Sequence, residues 1–245
     1  MITVTKQSLL SHMEQKIHLT DLQSKPFPYF FIENIFPNEL YAHIQRHTPG
    51  RDRFKKSDPK RTSNPQSINH RVRINMTDNI QNNDLNDHEV QLWRFISKTI
   101  GSQEFSTIIK HVFREGLEKR YGSNTIETKT RIELISDQNG YSISPHTDGA
   151  HKVATLLFYM PKDSEQIEYG TSIYQPNDNS FTDERGLQLP FEMFQPVRQF
   201  PFAPNSVLGF IKTNNSFHGR PGIKQLNQPR NWMNCSIQHS KATSV

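Results

Sequence analysis

The stretch Ser144-Pro145-His146-Thr147-Asp148-Gly149-Ala150-His151-Lys152-Val153-Ala154-Thr155-Leu156-Leu157-Phe158-Tyr159-Met160-Pro161 sets the reading of the whole chain. Its first half places an imidazole and a carboxylate two residues apart, at His146 and Asp148. Its second half, Val153 to Met160, is β-branched, aliphatic and aromatic, and of strand length. Residues i and i+2 of an extended chain point to the same side. The two groups therefore face one point in space at the mouth of a sheet. A third ligand lies downstream at His218, in Ser216-Phe217-His218-Gly219-Arg220, after a second strong strand pattern from Ser206 to Lys212. His-x-Asp alone is a weak signal, and the strand context and the distal His are what raise it.

Around this stretch the sequence breaks into short strands separated by turn residues. From Thr128 onward the strand segments are Lys129 to Ser136, Ser142 to His146, Val153 to Met160, Gly170 to Tyr174, Val197 to Phe200, Ser206 to Lys212, Ser216 to Gly219 and Asn231 to Gln238. Eight short strands of this spacing predict an α+β, mainly β chain with a double-stranded β-helix, the jelly-roll or cupin-like architecture. Asp137-Gln138-Asn139-Gly140, Pro176 to Asn179 and Pro221-Gly222 supply the turns.

The N-terminal half reads as support. Leu9, Leu10, Met13 and Ile17 form one apolar helical face over Lys6 to Ile17. Tyr29 to Ile32 reads as a strand, and a helix starts at Pro37 with Leu40 and Ile44 on one side. Asp84 to Ile100 and Gln103 to Lys119 read as two amphipathic helices covering one face of a sheet. Gly50 to His70 is polar and reads as a long loop, a lid over the site, whose Lys55, Lys56 and Arg61 suit an anionic or polar small molecule. The organisation expected is a single domain over 1–245, with 1–127 as the support and lid and 128–240 as the β core.

Composition bounds the rest. A length of 245 residues suits one such domain. No apolar run is long enough for a membrane span, and the N-terminus has no secretory pattern. The single cysteine, Cys235, excludes an internal disulfide and reads as a small core residue in a cytoplasmic protein. The net charge of +5 comes largely from Arg51 to Arg71, without interleaved aromatics, so a nucleic-acid partner is not expected.

Two His and one carboxylate on one face of a metal, with other positions open, is the pattern of non-haem Fe(II) oxygenases. On His146, Asp148, His218 and Arg230 the chain resembles the Fe(II)- and 2-oxoglutarate-dependent oxygenases, and in Thr155 to Asp163 their prolyl-hydroxylase-like, stand-alone members. Pro26 to Leu40 is similar to the lead-in strand and helix of such members. Ile143 stands where prolyl hydroxylases carry a Tyr, and the step from His218 to Arg230 is slightly longer than in the commonest members. The resemblance implies Fe(II), 2-oxoglutarate and O2 as cofactor and co-substrates, release of succinate and CO2, and hydroxylation of a small molecule or an amino-acid residue. It also implies that Arg230, with Tyr159, holds the far carboxylate of 2-oxoglutarate. Arg220 competes for this role, being two residues from His218. Arg230 is preferred because it opens a long strand, whereas Pro221-Gly222 breaks the strand beside Arg220. Arg220 is then expected on a substrate anion or the C1 carboxylate. Strand parity adds Arg131, Trp232 and Asn234 as candidate substrate contacts, and the turn at Gly149-Ala150 points His151 away from the metal. A cupin-like metal enzyme that uses no 2-oxoglutarate and a non-catalytic binding domain remain as alternatives.

Overall fold

A computed structural model describes residues 4–56, 69–77, 80, 84–123 and 125–240. Among these residues there are eleven strands and five α-helices. The strands are β1 (Tyr29–Glu33), β2 (Lys55–Lys56), β3 (Arg71–Asn75), β4 (Thr128–Asp137), β5 (Ile143–His146), β6 (Lys152–Tyr159), β7 (Ser172–Pro176), β8 (Phe194–Gln199), β9 (Ser206–Ile211), β10 (His218–Arg220) and β11 (Arg230–His239). The helices are α1 (Lys6–His18), α2 (Asn38–Arg46), α3 (Asp87–Ile100), α4 (Gln103–Val112) and α5 (Arg114–Tyr121). Seven strands form one sheet in the order β1-β9-β6-β11-β4-β3-β2, and four form a second in the order β5-β10-β7-β8. Every pairing is antiparallel. From β4 to β11 the chain passes repeatedly between the two sheets.

The layering follows from side-chain alternation. On β6, Leu156 and Phe158 point to one core, while Leu157 and Tyr159 point to another. The first core lies between the large sheet and the helices, and takes in Leu9, Met13, Trp93, Ile96, Phe105 and Ile109. The second lies between the two sheets, where Leu157, Tyr159, Leu208, Phe210 and Trp232 meet Ile173, Phe200 and Phe202. Burial on both faces explains why this strand reads as a continuous apolar run rather than an alternating one. Capping boxes start α1 at Thr5 with Ser8 and α3 at Asn86 with Glu89, so the first-turn N–H groups have partners.

Two sequence expectations are corrected. The stretch 103–119 is two helices, not one: it breaks at Phe113, and α5 runs on to Gly122, whose φ of 69° is the left-handed conformation that favours glycine. The break lets Phe113 stack on Phe30, ring centroids 5.6 Å apart, and Phe30 in turn lies across Gly209 of β9. The stretch 50–70 is not all loop: Arg51–Arg53 is a 3-10 turn, and β2 pairs with β3. Residues 57–68, Arg61 among them, lie outside the described residues, and the lid expectation with them.

A side chain at Gly209 would drive its Cβ into the Phe30 ring. Gly209→Ala is expected to destabilise the protein by about 1–3 kcal/mol, as overpacking of a filled core does. Urea unfolding of the two proteins measures this, and an unchanged midpoint would show that the ring yields freely.

Candidate metal centre

The site is built at the edge pairing of the small sheet. In the β5–β10 ladder the Cα partner of His146 is His218, so both imidazoles project from directly opposed positions. Their ring centroids are 4.4 Å apart. Gly219 permits this approach, since a Cβ there would lie 2.8 Å from the carbonyl oxygen of Ile143. Each His Nδ1 sits on the carbonyl two residues before it: His146 on Ser144 at 2.9 Å, His218 on Ser216 at 3.0 Å. An Nδ1–H donated to a carbonyl fixes the tautomer and leaves the Nε2 lone pair for a metal.

Asp148 completes the group. One ligand atom from each of His146, Asp148 and His218 lies within 4.8 Å of the others. His151 is not part of this group. The Asp148 carboxylate is fixed at both oxygens: Oδ1 accepts from Lys152 Nζ at 2.6 Å and Oδ2 from Thr155 Oγ1 at 2.6 Å. Burial pushes this carboxyl up, but Lys152 and then the two imidazoles outweigh burial and hold it well below the usual carboxylate range. Burial, reinforced by His218, pushes the His146 imidazole down to about 3, so it is neutral at physiological pH. Burial lowers His218 in the same direction. Neutral imidazoles beside an ionised carboxylate are the protonation states a divalent metal needs. Behind the Thr147 turn, the fully buried Lys212 donates to Thr147 Oγ1 at 3.0 Å and to the carbonyl oxygens of Asp183 and Thr213.

The triad opens onto a cavity of about 490 Å³ between the two sheets. Arg131, Arg220, Arg230, Trp232 and Asn234 all line it, as strand parity predicts, whereas Tyr159 does not. The Tyr159 hydroxyl instead accepts the backbone N–H of Thr171 at 3.1 Å. Seven basic side chains line the wall (Lys56, Arg71, Arg73, Arg131, Lys152, Arg220 and Arg230) against the carboxylates of Glu133 and Asp148. Arg131 donates to Glu133 at 2.8 Å near the open end, where its side chain is 47% exposed.

The closed end is organised by Asp137, a residue the sequence presents as part of a turn. It is completely buried. Arg71 grips it bidentately, Nε to Oδ1 at 2.6 Å and Nη2 to Oδ2 at 3.0 Å. Arg230 Nη1 and Trp232 Nε1 donate to the same Oδ2 at 2.8 and 3.0 Å. Arg230 Nε donates to the Tyr169 carbonyl at 2.7 Å. Arg230 is thus part of a buried ion-pair cluster. Beside it, Arg220 is 3% exposed, and its Nε and Nη2 have no hydrogen-bond partner among the described residues. Tyr141, whose ring lies 3.8 Å from the Arg71 guanidinium carbon, has a hydroxyl with no hydrogen-bond partner among the described residues. Sequence reasoning missed Asp137, Arg71 and Tyr141. The alternation Arg131, Glu133, Ile135, Asp137 along β4 is the signal that places Asp137 on the inner face.

No protein-family model matches the chain, and no curated protein matches it in sequence. Solved structures match in fold. A prolyl hydroxylase from Trichoplax adhaerens, in complex with a hypoxia inducible factor oxygen degradation domain peptide fragment, aligns over 96% of this chain and 90% of that one, with a TM-score of 0.51 at 11% identity. AviO1 from Streptomyces viridochromogenes Tue57 aligns over 99% and 98%, with a TM-score of 0.50 at 10% identity. An oxidoreductase of the 2OG-Fe(II) oxygenase family from Burkholderia pseudomallei aligns over 97% and 91%, with a TM-score of 0.49 at 10% identity. In fold the chain is similar to that prolyl hydroxylase and to AviO1. The resemblance read from the sequence holds at the level of fold. Among the described residues no helix is long and apolar enough to cross a membrane.

Burial pushes the Asp137 carboxyl up, but Arg71 and Arg230 outweigh burial and hold it below its ordinary value. A depressed carboxyl stabilises the fold above the unfolded pKa, and that stabilisation is lost as pH falls through the folded value. Asp137→Asn strands two buried guanidiniums and is expected to cost about 3–5 kcal/mol at neutral pH. The gap to the wild type should narrow in acid, where the native carboxyl is itself protonated. Urea unfolding of both proteins across that range measures the effect, and a gap independent of pH would refute the ion-pair account.

Proposed function

We propose that this protein is an Fe(II)- and 2-oxoglutarate-dependent dioxygenase that hydroxylates a C–H bond of a polar small molecule or an amino-acid residue. The observation that carries the proposal is the His146, Asp148 and His218 group, with its tautomers and carboxylate already fixed for a metal. The donor set fits iron: two neutral imidazoles and one carboxylate on one side, with the cavity on the other. The eight strands β4 to β11, divided between two antiparallel sheets, support reading this region as a double-stranded β-helix. On this reading 1–245 is one oxygenase domain, with 128–240 carrying the chemistry and 1–127 bracing it.

When bound, the iron and the keto acid supply the oxidising power, O2 being consumed as the keto acid leaves as succinate and CO2. The protein's own residues do the rest. Ser144 and Ser216 aim the two Nε2 atoms. Lys152 keeps the Asp148 carboxylate ionised, and Thr155 fixes its second oxygen. Ile135, Ile143 and Leu157 give the cavity an apolar wall that limits water. The excess of arginine at the closed end suits a dicarboxylate. It favours this reading over a metal enzyme without a keto acid, which has no use for buried cations there. At the open end, Arg131 and Asn234 are positioned to meet the substrate.

Anaerobic addition of Fe(II) and then 2-oxoglutarate to the metal-free protein should produce a visible absorption band that requires both. The band should be absent in His146→Ala. Iron binding without a band would favour the cupin-like alternative, and no iron binding at all would leave a binding domain.

A further inference from the structure

The wall that β3 and β4 give the cavity carries a second set of charges, nearer the mouth than the Asp137 cluster. Glu133, its side chain only 8% exposed, is shared there by two guanidiniums. Arg131 Nη2 donates to Glu133 Oε1 at 2.8 Å. Arg73 Nη1 stops 3.6 Å from the same oxygen, too far for a hydrogen bond. The Arg73 Nε is buried and has no hydrogen-bond partner among the described residues. A buried N–H of a charged group left unpaired is costly, so this edge of Arg73 implies a missing acceptor.

The balance of charge says what that acceptor carries. Asp148 is matched by Lys152. Arg71 and Arg230 share Asp137 at the closed end, with Arg220 beside them. On the mouth side that leaves Lys56, Arg73 and Arg131 against the one carboxylate of Glu133, an excess of two positive charges among the described residues lining the cavity. A divalent metal and a dicarboxylate cancel each other, so filling the metal centre does not remove this excess. An anion of two charges does.

Register sets the group level with the triad. Arg131 on β4 is the partner of Ser236 on β11, and Ser236 is the partner of Thr155 on β6, which holds Asp148 Oδ2. All three side chains line the cavity. Two strand spacings, roughly 10 Å, separate Arg131 from Thr155. A small molecule with an anionic end on Arg73 and Arg131 spans that wall and brings its other end to the metal ligands. The cavity volume of about 490 Å³ is that of a small-molecule site.

Building on the proposed dioxygenase function, we infer that the substrate is a small molecule bearing a dianionic group of the phosphate-monoester type, seated on Arg73 and Arg131 beside Glu133. A single carboxylate leaves one positive charge over, whereas a phosphate monoester carries close to two at neutral pH. The planar arginine fork meets two oxygens of such a group at once. Glu133 then acts as a spacer: it holds the two like-charged side chains together until the anion joins them.

Calorimetric titration of the protein loaded with Mn(II) and saturating 2-oxoglutarate tests this without turnover. The probes are glycerol 3-phosphate, 3-hydroxypropanoate and glycerol, which carry two, one and no negative charges. Glycerol 3-phosphate is expected to bind at least tenfold more tightly than 3-hydroxypropanoate, and glycerol not to bind. Arg73→Gln should weaken glycerol 3-phosphate about ten- to hundredfold, the loss of a charged hydrogen-bonding partner, while 2-oxoglutarate still loads as in the wild type. Arg131→Gln, at a more exposed position, should weaken it by less than about tenfold. Glu133→Gln, which releases both guanidiniums from their shared carboxylate, should tighten it. The inference is overturned if 3-hydroxypropanoate binds as tightly as glycerol 3-phosphate, if glycerol 3-phosphate binds Arg73→Gln like the wild type or displaces 2-oxoglutarate, or if Glu133→Gln weakens it as much as Arg73→Gln does. Failure of 2-oxoglutarate to bind in the loading step would sink the proposed function; failure of glycerol 3-phosphate after successful loading sinks this inference alone.

Discussion

The antiparallel pairing of β5 with β10 is the constraint on which the candidate centre depends. It sets His146 opposite His218, two side chains that are 72 residues apart in sequence. The ladder is only a few residues long. It holds because Gly219 lets the two backbones close and because β7 pairs with the other edge of β10. Once the imidazoles are opposed, Asp148 needs only to follow His146 by two residues, and Lys152 and Thr155 of β6 reach back to hold it. The two imidazoles therefore stand on the small sheet, and Asp148, on the connection from β5 to β6, is tied to the large sheet through Lys152 and Thr155.

At the far end of the same cavity a second constraint acts. Asp137 sits where four donors from two strands converge: Arg71 of β3 with two, Arg230 and Trp232 of β11 with one each. A buried carboxylate of this kind adds little net stability over an apolar replacement. Its effect is on geometry: it fixes which way three large side chains point. It also leaves the end of the cavity positive, because two arginines share one carboxylate and Arg220 adds a third cation.

The triad was legible in the sequence because it obeys local rules. The i, i+2 spacing keeps Asp148 beside His146, although β5 ends at His146 and Asp148 lies on the connection that follows, and the apolar run after it reads as a strand. Arg131, Trp232 and Asn234 were placed on the cavity wall by the same parity. Local rules ended where pairings became long-range. Parity turned Arg220 and Arg230 inward alike, and what separates them is Asp137, which sits in a string of turn-forming residues. Arg71, its other partner, lies 66 residues earlier beside a polar stretch that reads as loop. The break at Phe113 was hidden for a similar reason: the helical periodicity runs through it, and only the Phe30 ring on the sheet below decides the geometry.

The chain has two tryptophans, and the fold has given them separate surroundings. Trp93 is sealed in the core between helices and sheet, its indole N–H on the carbonyl of His47. Trp232 stands on the cavity wall, its indole N–H on Asp137 and its ring 5.1 Å from the Arg71 guanidinium carbon. Fluorescence from the first reports whether the helical layer is packed, and fluorescence from the second senses the charge and wetness of the cavity. The protein thus carries its own optical separation of folding from occupancy: single Trp→Phe replacements would resolve one signal from the other with no added label.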